Sequence, residues 1–328
     1  MAALRARDPV IILPYRGYGN ARRLVLPGRV LEDEGFRAAR AGERRWRNLA
    51  AFIKRLESDE VPFARLRARY GGTEHELRAD REGYFRLELE ARCAPGWHTV
   101  ELALAGQPSV RALGRVLVPR REARFGVVSD LDDTVVESRV TRKLRMLVTL
   151  ALSNARTRKP FRGVAAFYRA LHAGANPVFY VSNSPWNLYV PLAEYLEAQG
   201  FPEGPLFLRN LGLRMPRDHK HVAITALLEA YPRLPFVLIG DSGERDPEIY
   251  RDIVRRFPGR IRAIYIRSVD PSPARVAAIE RLIREVVPTG CQLVLAPEAY
   301  PAAAHAAGEG LIQPSALRAV RGDARLDR

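Results

Sequence analysis

Two rhythms of apolar and polar positions divide the chain. In the first stretch, 1–120, the alternation has period two. Phe85-Arg86-Leu87-Glu88-Leu89 and Val100-Glu101-Leu102-Ala103-Leu104 place every second side chain on one apolar face, as strands with one buried side do. Further strands are predicted at 61–70 and 112–118, and Asp80-Arg81-Glu82-Gly83 predicts a hairpin turn between Leu77 and Tyr84. Trp46, Leu49, Ala50, Ile53 and Leu56 share one helical face, which predicts a short helix at 46–56. The pattern predicts a small β-sandwich domain over 1–120, closed by the polar stretch 119–124.

From Phe125 apolar strands alternate with amphipathic helices. Strands are predicted at 125–130, 177–183, 206–209, 236–241, 261–266 and 292–296. Helices are predicted between them at 164–172, 188–198, 221–231, 247–257 and 274–286. This order predicts an α/β domain over 121–297, a Rossmann-like parallel sheet covered on both faces. Residues 298–328, rich in Ala and Arg, read as a short helix and a loosely held tail.

Composition narrows the class. A chain of 328 residues accommodates two ordinary domains, and 47% hydrophobic residues suit a globular protein. No apolar run reaches the ~18 residues of a membrane helix, and Met1 to Arg5 lack the apolar core of a secretory signal. Cys93 and Cys291 form neither a disulfide framework nor a thiolate metal motif. A cytoplasmic protein is expected, with peripheral membrane contact as an extension of that expectation. The net charge of +16 favours phosphate-rich partners, although the arginines are spread through every segment. Without a concentrated basic stripe bearing interleaved aromatics, no nucleic-acid partner is expected. Lysine is scarce (Lys54, Lys143, Lys159 and Lys220), which draws attention to each.

Three predicted strand ends finish in polar clusters. The first is Asp130-Leu131-Asp132-Asp133-Thr134, the second Ser182-Asn183-Ser184-Pro185-Trp186, the third Gly240-Asp241-Ser242-Gly243-Glu244-Arg245-Asp246. Carboxylates this close repel and raise one another's pKa, and a hard cation such as Mg²⁺ relieves them through oxygen ligands. Lys220 lies one turn before Ile224 on the apolar stripe of a predicted helix, so it reaches over the strand ends. A carboxylate nucleophile, a second carboxyl for proton transfer, a hydroxyl, an ammonium and a metal together fit phosphoryl transfer.

Asp130-Leu131-Asp132-Asp133-Thr134-Val135 resembles the DxDxT[VIL] motif of haloacid dehalogenase-type phosphatases, and Ser182, Lys220, Asp241 and Asp246 follow in the order of that superfamily. The flanking words from Phe179 to Tyr189, from Gly240 to Tyr250, and Arg158-Lys159-Pro160-Phe161 resemble the actin-patch-type phosphatidate phosphatase catalytic domain. The likeness runs from about Phe125 to Val269 and touches Pro14-Tyr15-Arg16-Gly17-Tyr18-Gly19. It implies the haloacid dehalogenase fold with a small cap, Asp130 as nucleophile and Asp132 as general acid and base. Thr134, Ser182, Asn183 and Lys220 are implied to serve the substrate phosphate, with Asn183 standing where a small hydroxyl residue is expected. Mg²⁺ is implied on Asp130, the Asp132 carbonyl, Asp241 and Asp246, the last directly or through water.

Other readings stand beside these. Asp246 and Glu244 also suit the cap of a helix that has Pro247 in its first turn. Asp133 reads as a solvated loop residue, and His219 and His221 as surface histidines. Leu144, Leu147, Val148, Ala151 and Leu152 form an apolar face rimmed by arginine and lysine across 142–162. That segment reads as a cap on the sheet or as a contact with an anionic membrane. The implied activity is Mg²⁺-dependent hydrolysis of phosphatidate, an anionic phospholipid, to diacylglycerol and phosphate. Phosphatase action on another bulky phosphate ester, such as a nucleic-acid end, and a catalytically silent phospholipid-binding module are the alternatives.

Overall fold

The computed structural model describes residues 9–32, 60–131, 163–209 and 218–323. The predicted helix at 46–56, the segment 142–162 with the expected cap, and Asp132, Asp133 and Thr134 lie outside the described residues. The chain divides into two compact units, the first reaching Val118 and the second starting at Pro119.

The first unit is all β among its described residues. Its strands are β1 (Val10–Pro14), β2 (Gly17–Asn20), β3 (Arg23–Glu32), β4 (Arg65–Tyr70), β5 (Thr73–Arg78), β6 (Tyr84–Glu90), β7 (Gly96–Leu104) and β8 (Gln107–Val118). The β content is as expected, and the strands join in one hydrogen-bonded sheet of eight. Its order is β1-β3-β2-β8-β7-β4-β5, with β6 on the other side of β3. Leu24 and Leu26 of β3, Leu66 of β4, Phe85 and Leu87 of β6, Leu102 of β7 and Val116 of β8 share a single core.

The turn at Asp80 exists, with Oδ1 of Asp80 accepting the amides of Glu82 and Tyr84, both at 2.9 Å. It is not a hairpin, because β5 pairs with β4 and β6 with β3. Seven registered positions, Arg23 to Arg29 against Tyr84 to Glu90, outweigh adjacency in sequence. The alternation rule does not find β1 to β3, whose pattern is interrupted by Gly17, Gly19, Pro27 and Gly28. Gly17 is dictated by close approach: a Cβ there would lie 2.2 Å from the Val25 carbonyl oxygen.

The second unit follows the predicted alternation closely. Strands β9 (Gly126–Asp130), β10 (Val178–Pro185), β11 (Leu206–Arg209), β12 (Phe236–Asp241), β13 (Ile261–Arg267) and β14 (Gln292–Ala296) form a six-stranded sheet ordered β11-β10-β9-β12-β13-β14. Every registered pair is parallel. Helices α1 (Val164–His172), α2 (Tyr189–Ala198), α3 (His219–Ala230), α4 (Asp246–Arg256) and α5 (Pro273–Val286) occupy the connections. The C-terminal stretch is more than a short helix and a loose tail. Helices α6 (Ala299–Gly308) and α7 (Leu317–Asp323) bury Ala302, Ala303, Ala306 and Val320, and Leu311 and Ile312 are buried between them.

Strand order reverses between β9 and β12, the two central strands. Parallel α/β sheets bind ligands outside the strand carboxyl ends at such a point, and there β9 ends in Asp130 and β12 in Asp241. Among the described residues no helix is long and apolar enough to cross a membrane.

Candidate active site

Four elements bring charge to that switch point. Strand β9, buried along its whole length, carries Asp130 at its last position. Strand β12 delivers Asp241 in the same way, helix α4 begins at Asp246, and the first turn of α3 supplies Lys220. All four are buried. The Lys220 ammonium lies 2.8 Å from Oδ1 of Asp130, 2.6 Å from Oδ1 of Asp246 and 2.9 Å from Oε2 of Glu244.

The backbone fixes the remaining oxygens. Oδ1 of Asp241 accepts the amides of Gly243 at 2.7 Å and Glu244 at 2.9 Å. The Asp241 amide donates to Oδ2 of Asp246 at 3.2 Å, where the helix N-terminus also favours negative charge. Gly240 allows this approach, since a Cβ there would stand 2.5 Å from Oδ2 of Asp246.

The cluster contains more negative than positive charge. Asp130, Asp241, Asp246 and Glu244 surround one ammonium. Burial pushes the Asp241 carboxyl up to about 9, and the Asp130 and Asp246 carboxylates add to the effect. Burial also raises the Asp130 carboxyl, against the pull of Lys220. Ligand oxygens of Asp130, Asp241 and Asp246 lie within 4.8 Å of one another. Oδ2 of Asp241 is buried without a hydrogen-bond partner. An all-oxygen donor set, excess negative charge and an orphaned carboxylate oxygen fit a hard divalent cation.

The sequence candidates thus separate. Asp130, Lys220, Asp241 and Asp246 converge. Ser182 is fully buried near the end of β10, and its Oγ accepts the Ser184 amide at 2.9 Å. The Asn183 amide donates to Oε2 of Glu244 at 2.9 Å, so in this structure it holds a carboxylate. The capping reading of Asp246 and Glu244 does not hold. No side chain caps α4, and both carboxylates take hydrogen bonds from Lys220. His219 is half-buried rather than a surface residue. Its Nε2 lies 3.2 Å from the Phe207 carbonyl oxygen, and burial lowers its pKa.

Sequence reasoning passed over Glu244 as an ammonium partner. It also passed over Ser129 and Tyr168, which brace the strand end. The Ser129 hydroxyl donates to the Asp130 carbonyl at 2.6 Å and lies 2.6 Å from the Tyr168 hydroxyl. A serine just before the Asp130-Leu131-Asp132-Asp133-Thr134 motif was the available signal for the first, while nothing local marks Tyr168.

The family described as "Phosphatidate phosphatase APP1, catalytic domain" matches residues 125–268. The chain is 34% identical over 171 residues to "Phosphatidate phosphatase APP1" of Saccharomyces cerevisiae, covering 49% of this chain and 29% of that protein. An uncharacterized Schizosaccharomyces pombe protein is 31% identical over 155 residues, covering 44% of this chain and 25% of its own length. The match therefore spans less than a third of either relative. Among solved structures, a HAD family hydrolase from Deinococcus radiodurans with bound phosphate and sodium aligns at 20% identity over 59% of this chain and all of its own, with a TM-score of 0.35. A superposition that loose carries no argument. Residues 125–268 of the α/β unit are thus similar to the phosphatidate phosphatase APP1 catalytic domain.

Proposed function

We propose that this protein is a phosphatidate phosphatase acting through an aspartyl-phosphate on Asp130. The observation that carries this reading is the meeting of Asp130, Asp241, Asp246 and Lys220 at the switch point of the sheet, within the matched residues. Oδ of Asp130 attacks phosphorus and the bond to the glycerol oxygen breaks, with Asp132 supplying the proton to the departing oxygen. Water then attacks the aspartyl-phosphate, with Asp132 taking its proton, and phosphate leaves. Lys220 holds the charged phosphoryl oxygens and favours the ionised form of Asp130 against the effect of burial. Ser182 and Thr134 are assigned to the same phosphate, and Asn183 to holding Glu244.

Asp130, Asp241 and Asp246, with the Asp132 carbonyl, would hold Mg²⁺, which when bound supplies charge neutralisation and Lewis acidity. The small cap and the membrane contact through 142–162 belong to this proposal, as does a cytoplasmic enzyme meeting its lipid at the membrane surface.

The test is phosphate release from phosphatidate in mixed micelles, with Mg²⁺ or chelator, for the wild type and Asp130→Asn. Release that needs Mg²⁺ and falls at least about 10³-fold in the variant is expected. Asp130-dependent release from an aryl phosphate alone would keep the mechanism and discard the lipid. Lipid binding without turnover of either would overturn both in favour of a binding module.

A further inference from the structure

The loop between Asp241 and Asp246 is gripped from outside by Arg275, near the start of α5 and beyond the matched residues 125–268. Its Nε donates to the Ser242 carbonyl at 2.7 Å, and its Nη2 to the Glu244 carbonyl at 2.6 Å. The other edge of the guanidinium pairs with Glu248, Nη1 to Oε1 at 2.5 Å and Nη2 to Oε2 at 3.2 Å. Ser242 is tied down as well. Its Oγ accepts the amides of Val269 and Asp270, both at 2.9 Å, and its own amide donates to the Arg267 carbonyl at 2.8 Å.

The Ser242 carbonyl and the Gly243 N–H are two ends of one planar peptide unit. Arg275 holds the carbonyl end, and the N–H end donates to Oδ1 of Asp241. Glycine is the residue least able to resist rotation of that plane. A flip would turn the N–H away and put a carbonyl dipole toward the carboxylates. We infer that Arg275 is a positioning residue: it locks the Ser242–Gly243 peptide so that Asp241 presents Oδ2 to the cation. The fork of the guanidinium suits this role, because two carbonyls and a carboxylate are held at once, which an ammonium does not match. The inference rests on the cation reading above.

The experiment is calorimetric titration with Mg²⁺ alone of the wild type, Arg275→Gln, Arg275→Lys and Glu248→Gln, with melting temperatures alongside. The wild type should bind Mg²⁺. Arg275→Gln should bind about 10- to 100-fold more weakly, with kcat at saturating Mg²⁺ returning toward wild type. Arg275→Lys should recover only part of the affinity. Should Arg275→Gln not fold, Arg275→Lys carries the comparison. Glu248→Gln, which leaves both carbonyl contacts in place, should bind within about threefold of wild type. Arg275 variants that melt earlier yet bind Mg²⁺ like wild type would reduce Arg275 to a structural residue and overturn the inference. So would an equal loss in Glu248→Gln. A wild type that binds no Mg²⁺ overturns the cation reading and this inference together.

Discussion

The two units treat buried charge in opposite ways. In the β unit Arg29 is the buried charged side chain among the described residues, and its surroundings satisfy it. It donates to Oε1 of Glu60 at 2.8 Å and to the Glu82 carbonyl at 3.0 Å, and it lies 4.4 Å from the Tyr84 ring centroid. In the α/β unit Asp130, Asp241 and Asp246 are buried around Lys220 with Glu244 beside them. That arrangement is not neutral by itself. Buried ion pairs are weak sources of stability, and an imbalance of charge makes them costly. The β unit reads as a fold optimised to stand, and the α/β unit as one that keeps an unfavourable cluster, as functional sites do; under the function proposed above, a cation and a phosphate complete it.

The largest test of this contrast is Lys220→Met. It removes the ammonium and leaves the carboxylates facing one another. Turnover should fall about 10²- to 10³-fold, as when one donor to a developing charge is lost. The chelated protein should lose about 3–5 kcal/mol of stability, the range for breaking one side of a buried pair. Activity assays and chemical denaturation read the two effects. A variant as stable as wild type in chelator would show that the cluster is not held by its charges, and the contrast would collapse.

A smaller effect sharpens the same point through pH. Folded Asp241 keeps its proton up to about 9, against an ordinary value of 3.8, and Asp130 shifts in the same direction. A carboxyl raised on folding contributes stability that is complete below its unfolded pKa and drains away as pH climbs toward its folded pKa. In chelator the melting temperature of the α/β unit should therefore fall between about pH 5 and 8. Mg²⁺ should reverse the fall, since it binds the folded state, and Asp241→Asn should flatten it. A melting temperature that rises with pH in chelator would contradict the picture.

The contrast also explains what was legible in the sequence. The parallel sheet was readable because its strands are buried on both faces and its helices are amphipathic, so 206–209, 236–241 and 292–296 coincide with β11, β12 and β14. Asp130, Lys220, Asp241 and Asp246 were readable because strand ends and a helix start are places where local sequence dictates position. The partners of Glu244 were not, since Asn183 and Lys220 reach it across 61 and 24 residues. Pairing in the β unit was hidden for the same reason. Alternation reveals which side of a strand is buried but not its neighbour, and Gly17 and Gly28 record close approaches, of the Val25 carbonyl and the Phe85 ring, that have no local signature.

The smallest expected effect lies in the β unit, at Glu60→Gln. The Glu60 side chain is 47% exposed and the Arg29 side chain 5%, so solvent screens much of the pair. Arg29 keeps the Glu82 carbonyl and the face of Tyr84 when the carboxylate becomes an amide, and the amide oxygen still accepts from the guanidinium. Stability should change by at most about 1 kcal/mol, and kcat not at all, read by denaturation and by phosphate release. If Glu60→Gln instead destabilised the protein as strongly as Lys220→Met, Arg29 would be a second centre of uncompensated charge. Balanced charge would then no longer distinguish the β unit from the unit that carries the site.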